Sequence, residues 1–370
     1  MIFRKSFVLI IFVGCFKQKD MKNTYKILTY IIVATTLAGC AKASSEGVNI
    51  ANKRYLDAWM QLNYPTAKAT WNGATDENGI YTIDSEEGTG AQVKKNGYAI
   101  VTFTATDLEG NITSYTDKET AKQLLVYDTT TYYGPQVWLT KNETIQAGLQ
   151  NALVGMKVGG KKKVVVPSWL MTYSSYSTAK QYLSKSNDSS NAIYEICVED
   201  FAEDIDKWQI HKMEGYMTEN YGGADTFTSD TTGFYYKRLS QPTGKADQFK
   251  SDTTIYINYT GKLLNGLVFD SNVERVAKDN GFYTSSKEYK PLPVAWGEKY
   301  SDLTLDGSSV VTGFARALWN LRNLGEGEAM DKGVSIFYSS LGYGYSGSGA
   351  SIPGYSPLVF EIEVVPAPEE

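Results

Sequence analysis

Hydrophobic and polar residues alternate in two stretches near the end of the chain. Residues 255–259 (Ile-Tyr-Ile-Asn-Tyr) alternate with period two, and residues 357–365 do so again with large apolar side chains on one face. Such alternation is typical of a strand with one buried face. After the first stretch, Asn265-Gly266 predicts a tight hairpin turn, because both residue types readily take positive φ. The pattern therefore predicts an antiparallel sheet with one apolar face.

A helix is predicted between these strands, where apolar residues recur every three or four positions. They are Phe314, Ala317, Leu318, Leu321 and Leu324. This spacing forms one apolar stripe along a helix, and Gly325 stands where a C-terminal cap is expected. Because one helix lying across a twisted sheet buries both apolar surfaces, the stretch predicts an α+β fold.

An internal repeat sets the number of domains. Residues 79–90 begin with Gly-Ile-Tyr and end with Thr-Gly, and residues 233–244 begin with Gly-Phe-Tyr and end with Thr-Gly. Later, GLQNAL at 148–153 recurs as GFARAL at 313–318. The later positions Tyr173 and Tyr194 of the first copy match Tyr343 and Phe360 of the second. Self-similarity in a constant order indicates duplicated structural units. We therefore predict two tandem modules.

We place the first module at residues 49–202 and the second at residues 203–370. Each begins with a predicted amphipathic helix, at 51–62 in the first and at 204–217 in the second. The apolar residues at helical spacing are Tyr55, Trp59 and Leu62 in the first helix, and Trp208 and Met213 in the second. We expect both helices to pack against a neighbouring sheet.

The first 39 residues have the pattern of a targeting segment. From Met21, two lysines precede an apolar run at 27–36, and Leu-Ala-Gly-Cys40 follows, as in a secretory signal with a cleavage site. That tetrapeptide resembles a bacterial lipobox, which implies cleavage before Cys40 and acylation of its thiol. We therefore predict that translation starts at Met21, that 1–39 is a signal peptide and that 40–48 is a lipidated tether. An uncleaved anchor is the alternative, but the run is shorter than the roughly 20 apolar residues of a span.

Composition excludes several classes of function. The chain has one histidine, His211, which leaves no Ser-His-Asp triad, no Cys-His pair and no histidine-based metal site. We expect His211 to be an exposed polar residue on a helix, and we expect no cofactor.

Residues 1–39 contain six Lys or Arg and one acid, so the rest of the chain has 30 basic and 40 acidic residues, a net charge of about −10. That charge argues against nucleic acid as a partner.

Five motifs in the second module occur in the order of a known family. They are YTGKLLNGLVFD at 259–270, Val310-Val311 before the helix, the Leu-Gly-Tyr-Gly run around Tyr343, Ile352-Pro353, and LVFEIE at 358–363. In this order they resemble FKBP-type peptidyl-prolyl cis-trans isomerases. The resemblance implies two twisted antiparallel half-barrels, each wrapped on a short helix, and it implies isomerase activity in the second module.

The resemblance also implies which residues form the proline pocket. They are Tyr259, Phe269, Asp270, Val310, Val311, Phe314, Tyr343, Ile352 and Phe360. Asp270 and the Tyr343 hydroxyl would be its polar members, and the Ile352 backbone N–H would bind a substrate carbonyl. Phe314 stands where many members have tryptophan, so we expect a smaller floor. The wall before the helix is left open, with Leu292 as its nearest candidate.

The first module differs at the positions that would do chemistry. It keeps Phe103, Ile145, Leu149, Tyr173 and Tyr194 but has Thr113-Ser114 in place of Phe-Asp, and its last loop, at 174–191, lacks Ile-Pro. Because that loop is rich in Ser, Asn and Lys, we expect it to be mobile. We therefore predict that the first module is degenerate and catalytically silent.

Two functions are compatible with these patterns. One is a foldase: an isomerase that acts on proline-containing, unfolded or extended chains of exported proteins, anchored by Cys40 in the bacterial envelope, at the outer membrane facing the periplasm. The other is a non-catalytic FKBP-like lipoprotein that binds polypeptides as a chaperone. A carbohydrate-binding lipoprotein would also use the 27 tyrosines, but these lie mostly at strand positions.

Overall fold

The computed structural model describes residues 48–185, 190–325 and 330–368. The predicted signal peptide, the lipobox at Cys40 and nearly all of the tether lie outside the described residues. The compact unit from Val48 onward contains two separate antiparallel sheets. Within the described residues, no helix is long and apolar enough to cross a membrane.

Within its described residues, the first module contains four α-helices and eight strands. In chain order they are α1 (Val48–Asn63), β1 (Ala69–Trp71), β2 (Ala74–Thr75), β3 (Ile80–Glu86), β4 (Tyr98–Thr106), β5 (Ile112–Tyr115), α2 (Lys118–Gln123), β6 (Gln136–Leu139), α3 (Ala147–Leu153), β7 (Lys161–Val166), α4 (Ala179–Lys185) and β8 (Ala192–Ala202). The strand order across the sheet is β2-β1-β3-β7-β8-β4-β5, and β6 also pairs with β4. The inner face of the sheet packs on α3 through Leu149 and Leu153.

The part of the second module that the structure describes contains three α-helices and seven strands. They are α5 (Ile205–Tyr221), β9 (Phe234–Arg238), β10 (Thr254–Leu263), β11 (Val268–Ser271), α6 (Glu274–Asp279), β12 (Leu292–Ala295), β13 (Thr304–Leu305), α7 (Thr312–Trp319), β14 (Lys332–Phe337) and β15 (Leu358–Val365). The strand order is β13-β12-β10-β15-β14-β9, and β11 also pairs with β10. The core order β10-β15-β14-β9 repeats β4-β8-β7-β3 of the first module. The predicted α+β fold of two sheets, each wrapped on a helix, is confirmed.

Helix α5 covers the outer face of the second sheet. Met213 and Met217 on α5 are fully buried against Val334 and Val359. Burial on the outer face explains why Val359 is inaccessible although it lies between the inward-facing Leu358 and Phe360. His211 lies on the exposed side of the same helix, as expected.

The predicted apolar stripe of α1 is wrong for two of its three residues, while Trp59 packs, partly buried, against the first core. Tyr55 and Leu62 are exposed, whereas Leu56 and Met60 are buried in the first core. The tyrosine hydroxyl instead donates a hydrogen bond to the Glu109 carboxylate, 2.6 Å away. The helix is therefore rotated so that its amphipathic tyrosine keeps its polar end in water.

Helix α7 ends at Trp319, five residues before the predicted stop. Asn320 caps it, because its amide side chain donates to the Arg316 carbonyl at 2.9 Å. The carbonyl of Asn320 then accepts from Arg238, at 3.1 Å, so a side chain from β9 binds where the next helical turn would form. Leu321 and Leu324 are buried all the same, but from the loop after the helix.

The hairpin after β10 also differs from the prediction. Only Gly266 of the Asn-Gly pair has positive φ, at 88°. The Leu263 N–H donates to the Leu267 carbonyl and the Gly266 N–H to the Leu263 carbonyl, so three residues form the connection. Asn265 contributes through its side chain, which accepts from the Leu267 N–H at 3.1 Å.

Candidate functional site

An aromatic cluster, which we call the aromatic well, lies where β10, β15 and α7 of the second module meet. The ring of Phe360 lies 4.6 Å from Phe314 and 5.6 Å from Phe269, and the Tyr259 ring lies 5.4 Å from Phe314. These residues come together because alternate side chains of a strand face the same side, while Phe314 begins the buried stripe of α7. Edge-on and tilted rings at these distances form a rigid apolar surface.

Asp270 provides the charged group beside this well. The Tyr259 hydroxyl donates to one Asp270 oxygen at 2.5 Å, and the Lys287 ammonium lies 3.0 Å from the other. Burial raises the pKa of Tyr259, and the negative charge of Asp270 raises it further. The phenol is therefore a fixed neutral donor. Lys287 lies in the insertion that follows β11, and sequence reasoning did not identify it.

The rim and floor of the well include one further residue that sequence reasoning missed. Val310, Val311 and Leu292 pack, partly buried, against the same core cluster, and Leu292 as a wall of the pocket stays a prediction. Phe337 on β14 is fully buried and stacks under Phe360, with ring centroids 5.7 Å apart. The alternation in β14 gave no signal for Phe337, because it groups this residue with Gly333 and Ser335 and not with the apolar Val334 and Ile336.

The loop before β15 carries Tyr343 and Ile352, but the Ile352 N–H is already engaged. It donates to the Ser348 carbonyl at 3.1 Å, and the Ser348 N–H returns a bond to the Ile352 carbonyl at 2.7 Å. The Ile352 side chain is buried in the core cluster. Tyr343 is more exposed, and burial together with the nearby Asp270 charge raises the pKa of its phenol. A substrate carbonyl would have to replace Ser348 at the Ile352 N–H.

The first module has a cavity in the equivalent place. It measures about 740 Å³. The Phe103 ring lies 4.8 Å from Trp138 and 5.8 Å from Tyr194. Its wall includes Ile145, Leu149, Tyr173 and, from the second module, Tyr345 and Tyr355. Trp138 was not predicted, because the residues before β6 gave no motif.

Strand register shows what the first module lacks. Ser114 on β5 pairs with Ala105, as Asp270 on β11 pairs with Gly261. Ser114 lines the cavity, so the first site has a small hydroxyl where the second has a carboxylate. Phe103, which matches Tyr259, has no hydroxyl to donate.

The last loop of the first module is folded where it is described, contrary to the expected mobility. Helix α4 forms within it and buries Tyr182, whose ring lies 5.4 Å from Trp71. The Asn49 amide of α1 also donates to the Leu183 carbonyl at 3.0 Å. These contacts hold the loop against α1, on the far side of Trp71.

Metal chemistry finds no support in the described part of the chain. No group of three or more His, Cys, Asp or Glu side chains there could hold a metal ion.

The second module therefore has the form of a half-barrel whose helix and sheet enclose an aromatic well with one carboxylate beside it. Residues 245–365 match the family model of FKBP-type peptidyl-prolyl cis-trans isomerases. This part of the chain matches that family, which confirms the resemblance that the sequence motifs indicated.

Individual relatives cover similar parts of the chain. A probable FKBP-type peptidyl-prolyl cis-trans isomerase of Haemophilus influenzae is 34% identical over 164 residues, which is 44% of this chain and 54% of that protein. The FKBP-type 22 kDa peptidyl-prolyl cis-trans isomerase of Escherichia coli is 30% identical over 161 residues, 43% of this chain and 62% of that one. The chain thus spans about half to three-fifths of these relatives. The three FKBP domains of wheat FKBP73 align over 78% of this chain and 94% of theirs, with 14% identity and a TM-score of only 0.26.

Proposed function

We propose that the second module catalyses cis-trans isomerisation of X-Pro bonds in extended polypeptides. The aromatic well of Tyr259, Phe314 and Phe360 beside the Tyr259–Asp270 hydrogen bond carries this proposal. The family that residues 245–365 match supports it.

The reaction needs no nucleophile or cofactor. Rotation about a peptide bond crosses a barrier of about 18 to 20 kcal/mol because the amide loses conjugation. The twisted amide is less polar than the planar one, so an apolar well that holds the proline ring favours it. Tyr343 and the backbone of the loop before β15 supply donors for neighbouring carbonyls, while Asp270 holds the Tyr259 ring in place.

A protease-coupled assay on proline tetrapeptides tests the proposal directly. The mature chain is compared with its Asp270→Ala/Tyr343→Phe double variant. Rate enhancement in the parent that is largely lost in the double variant supports catalysis at this well. A flat result from both folded proteins would reject catalysis.

Polypeptide binding without turnover is a second candidate, and the first-module cavity favours it. A cavity of about 740 Å³ with Phe103, Trp138 and Tyr194 in its wall is large enough for apolar side chains of an extended chain. Without the Asp270 counterpart, the cavity would bind rather than catalyse. Suppression of aggregation of an unfolded protein, lost in Trp138→Ala and kept in Asp270→Ala, would support this candidate. Equal suppression by both variants would reject it.

We further propose that the chain acts on exported proteins from a lipid anchor at the outer membrane, facing the periplasm. The support is the sequence from Met21 to Cys40. Expression of the Cys40→Ser variant in a bacterial host tests it. Membrane association and fatty-acid labelling of the parent, both lost in the variant, would support the anchor. Equal fractionation of the two proteins would contradict it.

A further inference from the structure

The segment between α2 and β6 of the first module reaches the second module at two points. We call this segment, residues 128–135, the strap. Its shape is fixed locally, because the Asp128 carboxylate accepts from the Thr130 N–H at 2.7 Å and the Tyr132 hydroxyl donates to the Pro135 carbonyl at 3.0 Å. The Tyr133 hydroxyl also accepts from the Asp128 N–H, at 3.2 Å. The strap therefore presents a defined surface.

The first contact is with Gly281, just after α6. A Cβ atom added to Gly281 would lie 2.3 Å from the Thr129 hydroxyl oxygen and 3.4 Å from its Cβ, so a side chain at 281 would require that hydroxyl to move or to be removed. Helix α6 follows Asp270 by only a few residues. Helix α6 also contacts β11, the strand that carries Asp270, so this end of the strap contacts a segment continuous with that helix.

The second contact is with the loop before β15. The Tyr132 N–H donates to the Ala350 carbonyl at 2.9 Å. Ala350 lies inside the Ser348–Ile352 turn, the same turn that engages the Ile352 N–H. The Tyr132 ring packs against the core cluster that contains Tyr259, Ile352 and Phe360, and burial raises the pKa of its phenol.

We propose that the strap lies across the entrance of the second-module well as an intramolecular competitor of polypeptide substrates. It contacts both the segment after α6 and the turn that engages the Ile352 N–H, and it offers a backbone N–H and an apolar ring, as an extended peptide does. Substrate must displace Tyr132 and its bond to Ala350. The expected effect on turnover rests on the proposed isomerase function, whereas the expected effect on peptide binding does not.

Two variants with opposite expected effects on substrate binding test the strap in the chain from residue 40 onward. Tyr132→Ala removes the ring. We expect KM for a proline tetrapeptide to fall about threefold to tenfold with kcat unchanged, because the lost aromatic contact stabilises only the state in which the strap covers the well. Thr129→Cys with Gly281→Cys should lock the strap when oxidised, since the Cβ separation of 3.4 Å is close to the roughly 3.5–4.5 Å of disulfides. Oxidation should then lower kcat/KM at least tenfold, and dithiothreitol should restore it.

Matched controls separate the strap from general effects of mutation. Leu125→Ala alters an exposed side chain on the same connection, and we expect no change. The single Thr129→Cys variant should not respond to oxidant.

A binding measurement separates failure of the strap from failure of the isomerase. The probe is a fluorescein-labelled proline tetrapeptide followed by anisotropy. Tighter binding to Tyr132→Ala and weaker binding to the oxidised pair support the strap even if no form shows turnover, in which case only the isomerase is rejected. Equal binding to all forms, or no binding to Tyr132→Ala, overturns the strap.

Discussion

The Tyr259 hydroxyl and the Asp270 carboxylate are joined by a 2.5 Å hydrogen bond in the second module, and the first module has no such pair. At the matching positions of the first sheet stand Phe103 and Ser114. The two modules share the core strand order and aromatic rings at matching positions, so this pair is one chemical difference between them.

Replacing the carboxylate should therefore impair only the second site. In Asp270→Asn, Tyr259 loses a charged acceptor and Lys287 its counter-ion, and we expect kcat/KM on proline tetrapeptides to fall about tenfold to a hundredfold, as for loss of one charge-assisted hydrogen bond. Ser114→Ala is the matched control, with activity unchanged. Equal activity in Asp270→Asn would remove the pair from the mechanism.

The apolar positions of the strands could be predicted from sequence, because their period of two is a local property. Leu358, Phe360 and Ile362 are buried as the alternation predicts. The features that could not be predicted depend on contacts distant in sequence. Helix α7 ends early because Arg238 of another strand binds the Asn320 carbonyl. Val359 is buried because α5 covers the outer face, and no local pattern shows that.

The candidate site likewise contains residues that sequence motifs predict and residues whose position depends on contacts distant in sequence. The aromatic wall of the second well follows from residues within ordered motifs, and these residues do come together. Lys287 lies in an insertion with no motif, and Tyr132 belongs to the other module. Sequence reasoning had no signal for either, since each position depends on how a loop folds back. The Ile352 N–H, a motif residue, bonds to Ser348 because the loop closes on itself.

Glycine on two helices of the second module should respond oppositely to alanine. A Cβ on Gly313 of α7 would lie 2.3 Å from the Phe337 ring, so Gly313→Ala should lower the free energy of unfolding by about 1–3 kcal/mol through overpacking. A Cβ on Gly215 of α5 would meet nothing within 4 Å, so Gly215→Ala should raise it by about 0.5–1 kcal/mol through helix propensity. Urea unfolding measures both. A stabilised Gly313→Ala variant would contradict this packing of α7 on β14.

Alkaline pH should destabilise the fold through its buried tyrosines. Burial and the nearby Asp57 charge raise the pKa of Tyr81 from 10.0 to about 12. Because the folded state then holds a proton that the unfolded state releases, this stabilisation is complete below pH 10 and is lost as pH rises from about 10 to 12. The loss is of the order of 2–3 kcal/mol. In Tyr81→Phe, the fall in the free energy of unfolding between pH 9.5 and 11 should be shallower by up to about 1.4 kcal/mol per pH unit. Parallel curves for the two proteins would contradict the raised pKa.

Gln209 on α5 should support the loop that carries Tyr343. Its side-chain oxygen is buried and accepts from the Ser339 N–H at 2.7 Å, four residues before Tyr343. In Gln209→Met the buried Ser339 N–H loses its acceptor, so we expect the free energy of unfolding to fall by about 1–3 kcal/mol. Part of this loss is offset, because the substitution also removes the buried Gln209 amide nitrogen, which has no hydrogen-bond partner in the described structure. We also expect KM for proline peptides to rise, since Tyr343 is less firmly placed.

The control for Gln209 lies on the same helix. His211→Ala changes an exposed side chain and should alter neither stability nor KM. If Gln209→Met lost stability with KM unchanged, Gln209 would support the sheet alone, and the position of Tyr343 would depend on its own loop. If KM rose while stability stayed constant, the Ser339 N–H must find another acceptor in a shifted loop. Amide exchange of Ser339 distinguishes these cases, because an acceptor of equal strength preserves its protection.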